Sequence, residues 1–520
     1  MANRYWVGGT ANWDGTAGTK WATTSGGAGG ASVPTPTDDV FFDANSGSGT
    51  VTVNTGNTGA KSITCTGFTG TFAGIQSINI SGSLTLSSSM TYTYTGVMTF
   101  EASGTITSFG KTFGDVTVNG SGITVILADT LNVGPAKTFT LYQGTIDLNG
   151  NLLRTGIFAS NSSLSRSISF GASAIHLTST GASVTILNIT NSTNFTWTGT
   201  GGFYRAMLST ATVAFTGTAA NAPNLWVYSN SSTLTISFGS SFKNVDFTGS
   251  SCTVSGSYNA FGNLTLAAGG TYTGLLPTFN GSGTITSNGK TLGSVTVYGS
   301  GITVALNDNL NLGSSSLTLQ QGTFNASNFD VSVWAFSSNI SNTRVLNMGS
   351  GTWTISTSGS FAWNTANTTG MTLNPGTSTI LMTSSFAKTF AGGGLTFYNL
   401  VQSGAGALTI SGSNTFNNIT NNTQPATITF TAGTTQTVSN FGMSGTAGSL
   451  ITINSSSAGS QFTLSKASGV VDAQYLSIQD STATGGATWN ALVTSGNVDG
   501  GNNVGWNLYS SGTSALLEFF

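Results

Sequence analysis

The sequence has few charged residues and little else from which enzymes commonly build their sites. Asp, Glu, Lys and Arg make up 5% of the 520 residues, against about 25% in a typical soluble protein. The single histidine excludes a multi-histidine metal site. The 13 basic residues are scattered and the net charge is −2, which does not suit the binding of a phosphate backbone. We therefore expect no cofactor, no metal and no nucleic-acid partner.

Cysteine and long apolar runs are also scarce. Cys65 and Cys252 are the two cysteines, and neither has a CxxC context, so we expect two small buried hydrophobic residues. A disulfide or a metal pair is the alternative. No apolar run approaches the length of a transmembrane helix, which predicts no membrane insertion. The start, MANRYWVGGTANW, has no apolar segment typical of a secretory signal, so we expect synthesis and folding in a cytoplasm.

Glycine is abundant and proline is rare, with 71 and 7 residues respectively. Short runs rich in Thr, Val, Ile and Phe alternate apolar and polar residues, and clusters of Gly, Ser and Asn separate them, a pattern typical of strands joined by turns. Disorder is the competing interpretation of a Gly- and Ser-rich chain. We reject it because 38% of the residues are hydrophobic and because they alternate regularly.

A long internal repeat indicates a repeat architecture. Residues 103–134 and 282–313 are identical at 24 of 32 positions, and such self-similarity is typical of solenoids and related folds. Residues of one parity stay apolar in both copies, and the changes fall on the other parity, as in Asn119, which corresponds to Tyr298. Because strand side chains alternate between faces, this pattern predicts a buried face and a free face.

A shorter repeat lies within and beyond the long one. It consists of Phe followed two positions later by Asn, and its period of about 19–20 residues is too short for a helical repeat pair. It predicts an all-β, elongated parallel β-solenoid in which equivalent residues of successive coils stack and the asparagine amides form a ladder. The predicted stack comprises Phe242, Asn244, Phe261, Asn263, Phe397, Asn399, Phe416 and Asn418.

The N-terminal segment is unusually aromatic. Trp6, Trp13 and Trp21 fall within YWVGGTANWDGTAGTKW. We predict a cap over the first coil, because an open solenoid end exposes apolar surface and unpaired strand edges. A docking arm or an aromatic platform for carbohydrate is the alternative. Tyr298, on the free face of the second long repeat, is a further candidate contact residue.

Two stretches resemble known proteins. WVGGTANWDG followed by VPTPTDDVFFD resembles the opening of β-helical adhesins and bacteriophage appendage proteins. The string that runs from TITFTAGTTQTVSNF through SLITINSSSAGSQFTLSKASGVVDAQYLSIQDSTATGGATWNA to NVDGGNNVGWNL is similar to a C-terminal β-solenoid module of bacteriophage and bacterial surface proteins. The resemblance implies a structural protein of a virion or a cell surface and brings no catalytic residues with it. The resemblance also implies a homo-oligomer, for example a trimer, which is common among phage fibres.

The predicted organisation has five parts. They are a cap or docking region at 1–37, a first solenoid part at 38–260, a second at 261–394, a C-terminal solenoid module at 395–508 and an apolar tail at 509–520.

We expect a non-enzymatic structural or adhesive virion protein, such as a tail fibre, tailspike or head fibre, whose partners are other virion proteins and host surface glycans. An exported bacterial adhesin or surface-layer component, located at the cell surface, is the first alternative. A capsular polysaccharide depolymerase is the second, with Asp129 and Asp147 as its best carboxylate pair, about one coil apart.

Overall fold

The computed structural model describes residues 2–56, 58–207, 209–229, 232–357 and 361–509. The chain forms a parallel β-solenoid of about 20 turns with almost no helix, as predicted. It divides into two compact units, Met1–Phe261 with Ala267–Thr271 and Gly262–Leu266 with Tyr272–Phe520. Of the predicted tail, only Tyr509 belongs to the described residues.

Three ladders of parallel strands run through the first unit. The first comprises Asn3–Trp6, Asp39–Phe41, Ser62–Thr64, Leu84–Thr85, Gly104–Thr107, the second halves of Val116–Leu127 and Thr138–Asp147, Arg166–Gly171 and Phe195–Gly199. The second comprises Thr58–Ala60, Ile78–Ile80, Met98–Phe100, the first halves of Val116–Leu127 and Thr138–Asp147, Ile157–Ala159, Val184–Ile189, Ala211–Phe215, Thr233–Phe242 and Thr253–Ala260.

The third ladder comprises Thr112–Phe113, Leu131–Val133, Leu153–Thr155, Ala174–Leu177, Gly202–Met207, Asn224–Ser229 and Val245–Asp246. A separate four-stranded parallel sheet precedes it, formed by Ala11–Trp13, Thr50–Val53, Thr71–Gly74 and Thr91–Tyr92. A short 3-10 helix spans Ala44–Ser46.

The second unit repeats this plan. One ladder comprises Thr271–Phe279, the first halves of Val295–Leu306 and Leu317–Asn325, Phe336–Ser337, Phe361–Asn364, Lys388–Ala391, Leu408–Ser411, Ala426–Phe430, Ile451–Ser455, Leu476–Ile478 and Val498–Asp499. Another comprises Leu264–Thr265, Gly283–Thr286, the second halves of Val295–Leu306 and Leu317–Asn325, Arg344–Asn347 and Met371–Asn374.

The remaining ladder of the second unit comprises Leu310–Asn311, Val331–Val333, Thr352–Ile355, Thr379–Met382, Thr396–Gln402, Thr415–Asn421, Thr435–Gly442, Phe462–Ser465 and Ser481–Thr484. Val470–Asp472 pairs with Thr488–Asn490, and a 3-10 helix spans Val493–Ser495.

The coils are not of equal length. Met98 pairs with Val116, which closes a short coil, whereas Phe158 pairs with Leu187, which closes a much longer one. The period predicted from the sequence repeat is close to that of the shorter coils. The coils between residues 158 and 215 are longer, but their strands still pair in parallel.

The core follows the alternation seen in the long repeat. In the first copy, the apolar residues Val116, Val118, Val125 and Leu127 are at most 1% exposed, and the equivalent residues of the second copy are at most 2% exposed. Both copies form one long strand, Val116–Leu127 and Val295–Leu306. Asn119 and Tyr298 lie on the exposed face. The predicted division into a buried and a free face is therefore confirmed.

The N-terminal cap is also confirmed. Trp6, Trp13 and Trp21 are fully buried, and Trp21 makes edge-on contacts with the other two at centroid distances of 5.0 and 5.2 Å. All three surround Phe42, at 5.9–6.1 Å. Trp21–Ala22 pairs antiparallel with Asn3–Trp6. Because the indoles are buried, they form no platform for a ligand.

Candidate functional site: an outward aromatic column

The third ladder of the first unit carries an unusual row of outward side chains, which we call the aromatic column. Strand register places these residues next to one another on successive coils, and their inward neighbours, such as Leu153, Ile175, Phe203 and Leu225, are fully buried. The column comprises Thr112, Asn132, Arg154, His176, Tyr204, Trp226 and Asp246.

Aromatic rings occupy the middle of the column. The rings of His176 and Tyr204 lie 4.6 Å apart between centroids with an interplanar angle of 35°. A Cβ added to Gly202 would come within 3.0 Å of Cζ3 of Trp226, so the indole lies against this glycine, where a side chain would otherwise be. Since Gly202 is the outward neighbour of Tyr204 on its strand, the indole covers the sheet surface beside the column.

A shallow groove opens beside the last part of the column. It has a volume of about 160 Å³ and is lined by Tyr204, Trp226, Val227, Tyr228, Asp246 and Thr248. The Tyr228 side chain is 47% exposed, and Oδ1 of Asp246 accepts a hydrogen bond from the Thr248 amide at 2.8 Å. The groove therefore combines apolar ring surface with hydroxyl and carboxylate groups.

Charge is distributed unevenly along the column. Burial, and then the nearby positive charge of Arg154, lowers the pKa of His176 below its ordinary value, so the imidazole is neutral at neutral pH. Burial, and then the neighbouring Tyr228, raises the pKa of Tyr204, so its hydroxyl stays protonated. The column thus has a cation at Arg154, neutral rings in the middle and a carboxylate at Asp246.

Two further grooves lie on the first unit. One, of about 420 Å³, is lined by Thr140, Tyr142, Ala159, Asn161, Ser162, Ser163 and Leu164. The other, of about 340 Å³, is lined by Thr66, Gly67, Thr85, Leu86, Ser87, Ser88, Ser89 and Phe109. Each has one exposed aromatic side chain, Tyr142 or Phe109, among hydroxyl groups. The aromatic column differs in bringing several rings together.

The structure brings together the predicted stack in the second unit. Phe397 is the register partner of Phe416, and their rings stack at 5.7 Å with an interplanar angle of 24°. Nδ2 of Asn418 donates to Oδ1 of Asn399 at 2.7 Å, and Nδ2 of Asn399 donates in turn to the Thr379 hydroxyl at 3.0 Å. These amides link successive coils along the ladder.

The predicted stacking of Phe242 on Phe261 is not found. Phe242 is the register partner of Ala260, and its ring contacts Phe215 and Tyr258 at 6.3 and 6.2 Å. The cause is a bulge between Ile236 and Ser240: register partners are fewer residues apart in the sequence after the bulge than before it. The spacing of the sequence repeat lies between these two separations and equals neither, so Phe242 and Phe261 are not register partners. Phe261 is half-buried.

The asparagines of this part of the sequence have different roles. Nδ2 of Asn244 donates to Oδ1 of Asn224 at 2.9 Å, which is an amide ladder one coil earlier than the predicted pair. Oδ1 of Asn263 accepts from the Thr284 amide at 2.9 Å. Tyr298 is 46% exposed, and its carbonyl accepts from Nδ2 of Asn280 at 2.8 Å.

Both carboxylates considered for a depolymerase hold turns. Oδ1 and Oδ2 of Asp129 accept from the amides of Ser108 and Phe109 at 2.8 and 2.6 Å. Asp308 makes the same two contacts, with Ser287 and Asn288, in the second copy. Oδ1 of Asp147 accepts from the Asn149 amide at 2.9 Å. These contacts account for the carboxylates as caps of successive turns.

We expect Asp129→Asn to lower the free energy of unfolding by about 1–2 kcal/mol. The asparagine side chain has one acceptor oxygen, whereas the backbone amides of Ser108 and Phe109 each need one. Asp147→Asn is the matched control: it keeps the single acceptor that Asn149 uses and should cost under about 0.5 kcal/mol. Denaturant titration of both variants measures the difference. Equal stability of the two variants would contradict the turn-cap role.

Four basic side chains in the described part of the chain are buried, which the sequence pattern did not predict. Arg166, Arg205, Arg344 and Lys388 are at most 2% exposed. Backbone carbonyls are their main acceptors: Nζ of Lys388, for example, donates to the carbonyls of Ser384 and Gly406 at 2.8 and 2.9 Å. Burial lowers the pKa of Arg205 to about 10 and that of Lys388 to about 8.

The lowered pKa of Lys388 predicts a pH-dependent stability. The folded state releases this proton near pH 8 and the unfolded state near pH 10.5. The buried charge therefore destabilises the folded state fully below pH 8, and this destabilisation decreases as the pH rises from 8 to 10.5. Between pH 8 and 9.5, the free energy of unfolding of the wild type should rise by about 1–2 kcal/mol relative to Lys388→Met. Parallel pH profiles for the two proteins would contradict the prediction.

Within the described ranges, no group of three or more His, Cys, Asp or Glu side chains is placed to hold a metal ion. Cys65 and Cys252 are free and buried. Among the helices that the structure describes, none is long and apolar enough to cross a membrane.

The aromatic column was not predicted from the sequence, although two signals of it are present. Tyr204 follows a buried Phe in GGFYRA, and Trp226 and Tyr228 alternate with buried residues in NLWVYS. In each strand, aromatic residues stand on the parity that elsewhere carries Thr, Ser or Asn.

Comparisons of the chain with protein-family models, with curated protein sequences and with solved structures find no match.

Proposed function

We propose that this chain is a non-enzymatic structural and adhesive protein of a bacteriophage particle, a tail fibre, tailspike or head fibre, that contacts glycans on the host surface. The single observation that carries the adhesive role is the aromatic column. The half-buried rings of the column and the exposed ring of Tyr228 offer apolar surface to the C–H faces of sugars, and the neighbouring hydroxyl, amide and carboxylate groups supply hydrogen bonds to sugar hydroxyls.

The structural role is supported by the construction of the solenoid. Parallel hydrogen-bonded ladders, stacked aromatic rings and amide ladders join each coil to the next, and side chains on the outward face are free to vary without loss of the core. The assignment to a phage particle rests on the sequence resemblance of the two terminal stretches. In such a particle, the partners are other virion proteins and further copies of this chain.

Location is tested by quantitative peptide mass spectrometry of purified particles and of cell envelopes from the same culture. The proposal predicts that the protein copurifies with particles in a fixed ratio to the major capsid protein, and that ratio gives the copy number. Recovery in cell envelopes and not in particles would overturn the phage assignment in favour of a bacterial surface adhesin.

Adhesion is tested by binding of the purified chain to host cells. Trp226→Ala should reduce binding at least about tenfold, because a buried ring contact contributes more than about 1.4 kcal/mol. Phe238→Ala is the matched control, since this ring is 93% exposed and lies outside the column. Equal binding by the two variants would refute the role of the column, provided that thermal melting shows both to be folded.

A further inference from the structure

The aromatic column has a charge asymmetry that indicates what kind of glycan it fits, an inference that rests on the proposed function. Arg154 is exposed and is adjacent in register to His176 on one side and to Asn132 on the other. Within the described part of the chain, its guanidinium has no carboxylate partner: the three ion pairs join other residues.

The other basic side chains of the first unit make this cation distinctive, because most of them are engaged or buried. Ion pairs engage Lys20, Lys61 and Lys137. Arg4 donates hydrogen bonds to Ser32, and Lys111 donates to the carbonyls of Ser88 and Met90. The buried side chains are Arg166 and Arg205. Lys243 is exposed but lies at a bend outside the column strands. Arg154 is thus a planar donor at one end of a row of rings. A guanidinium of this kind pairs best with a carboxylate, which accepts two parallel hydrogen bonds.

The dimensions suit an extended saccharide. Arg154 and Trp226 are three strand spacings apart, roughly 14 Å, and Asp246 follows one spacing beyond. A chain lying along the column would place one sugar over the indole and groove, another against His176 and Tyr204, and a substituent at Arg154. Asp246 at the opposite end disfavours a second negative charge there. Arg154 and Asp246 together therefore set the direction in which the glycan chain lies along the column.

We propose that the aromatic column binds an acidic glycan, with the carboxylate of a uronic-acid-type sugar at Arg154 and the neutral part of the chain against Tyr204, Trp226 and Tyr228. A nucleic-acid strand is the other polymer that combines negative charge with stacking. It is the less suitable ligand, because single-strand binding grooves track several phosphates with several cations, and the column has one.

The test compares two polymers with the same backbone, polygalacturonate and its fully methyl-esterified form, by calorimetry or biolayer interferometry at low salt. The wild type should bind the acid form about five- to tenfold more tightly than the ester, and this preference should shrink as salt is added. Arg154→Gln should lose the preference while keeping its affinity for the ester within about twofold. Asp246→Asn should keep or strengthen the preference.

The outcomes separate the inference from the proposed function. Equal affinity of the wild type for the two polymers, or an unchanged preference in Arg154→Gln, would overturn the inference and leave glycan adhesion standing. Tighter binding of an oligo(dT) strand than of polygalacturonate would overturn it in favour of nucleic acid. Binding to neither polysaccharide would overturn the inference, and failure of the folded chain to bind host cells as well would overturn the adhesive part of the proposed function.

Discussion

Trp21→Ala should destabilise the N-terminal coils by about 3–5 kcal/mol, the usual cost of deleting a buried large aromatic side chain. The indole is fully buried and touches Trp6, Trp13 and Phe42, so its removal leaves a cavity at the centre of the cap. In a solenoid each coil contacts its neighbours, and the loss should therefore be local rather than global.

Hydrogen–deuterium exchange resolved by peptide measures this effect. In Trp21→Ala, amides of Asp39–Phe41 and Thr50–Val53 should exchange much faster, while those of Thr415–Asn421, in the other unit, should be unaffected. Trp21→Phe is the control: it retains part of the packing, so its exchange rates in the first coils should lie between those of the wild type and those of Trp21→Ala. Unchanged protection of the first coils in the alanine variant would show that the cap does not hold them.

Arg344→Met should lower the free energy of unfolding by about 3–5 kcal/mol, because it leaves buried acceptors without donors. The side chain is fully buried and donates five hydrogen bonds. Their acceptors are the carbonyls of Asn342, Thr369, Ser338 and Asn367 and the hydroxyl of Ser338, at 2.6–3.2 Å. Methionine matches much of the volume but supplies no donor.

The matched control is Arg154→Met, which removes an arginine that also lies on a strand but whose side chain is exposed. It should change stability by less than about 0.5 kcal/mol. Chemical denaturation of both variants, followed by the fluorescence of the tryptophans, compares them directly. A small and equal effect in the two would mean that the buried guanidinium does not organise the turns around residues 338–344 and 367–369.

The sequence was most informative where one physical rule decides the outcome. Alternation of apolar and polar residues identified the buried faces of Val116–Leu127 and Val295–Leu306, because a strand has only two faces. The cap followed from the need to cover the first coil. The stack of Phe397 on Phe416 also agrees with the repeat, since this coil has no bulge in the relevant strand pair near the ring.

Register across coils of unequal length was not predictable. From Arg154 the column proceeds to His176, Tyr204, Trp226 and Asp246 in unequal steps, of which the step from His176 to Tyr204 is the longest. No fixed period links these residues, so only the structure shows that they are neighbours. The same reason explains Phe242, where one bulge alters the offset within a single strand.

Buried basic residues were missed for a different reason. In the sequence, Arg344 follows Asn342 and Thr343, and Lys388 precedes Thr389, so both look like ordinary residues of a polar surface. Their partners include backbone carbonyls of turns in other coils, and carbonyl groups leave no signal in an amino-acid pattern. A basic residue without an acidic neighbour in the sequence, such as Arg344 or Lys388, can therefore still be buried, with carbonyl groups as its partners.

Unequal coils bring Arg154, His176, Tyr204 and Trp226 into one outward column, and the proposed function depends on this register. Disulfide cross-linking of paired cysteines tests it most directly, since neighbouring positions of a parallel ladder lie about 4.8 Å apart, within reach of a disulfide. The native Cys65 and Cys252 are buried and do not interfere. We expect that His176→Cys with Tyr204→Cys cross-links readily on mild oxidation, and that Arg154→Cys with Tyr204→Cys, two spacings apart, does not. Efficient cross-linking of the second pair without the first would contradict the column.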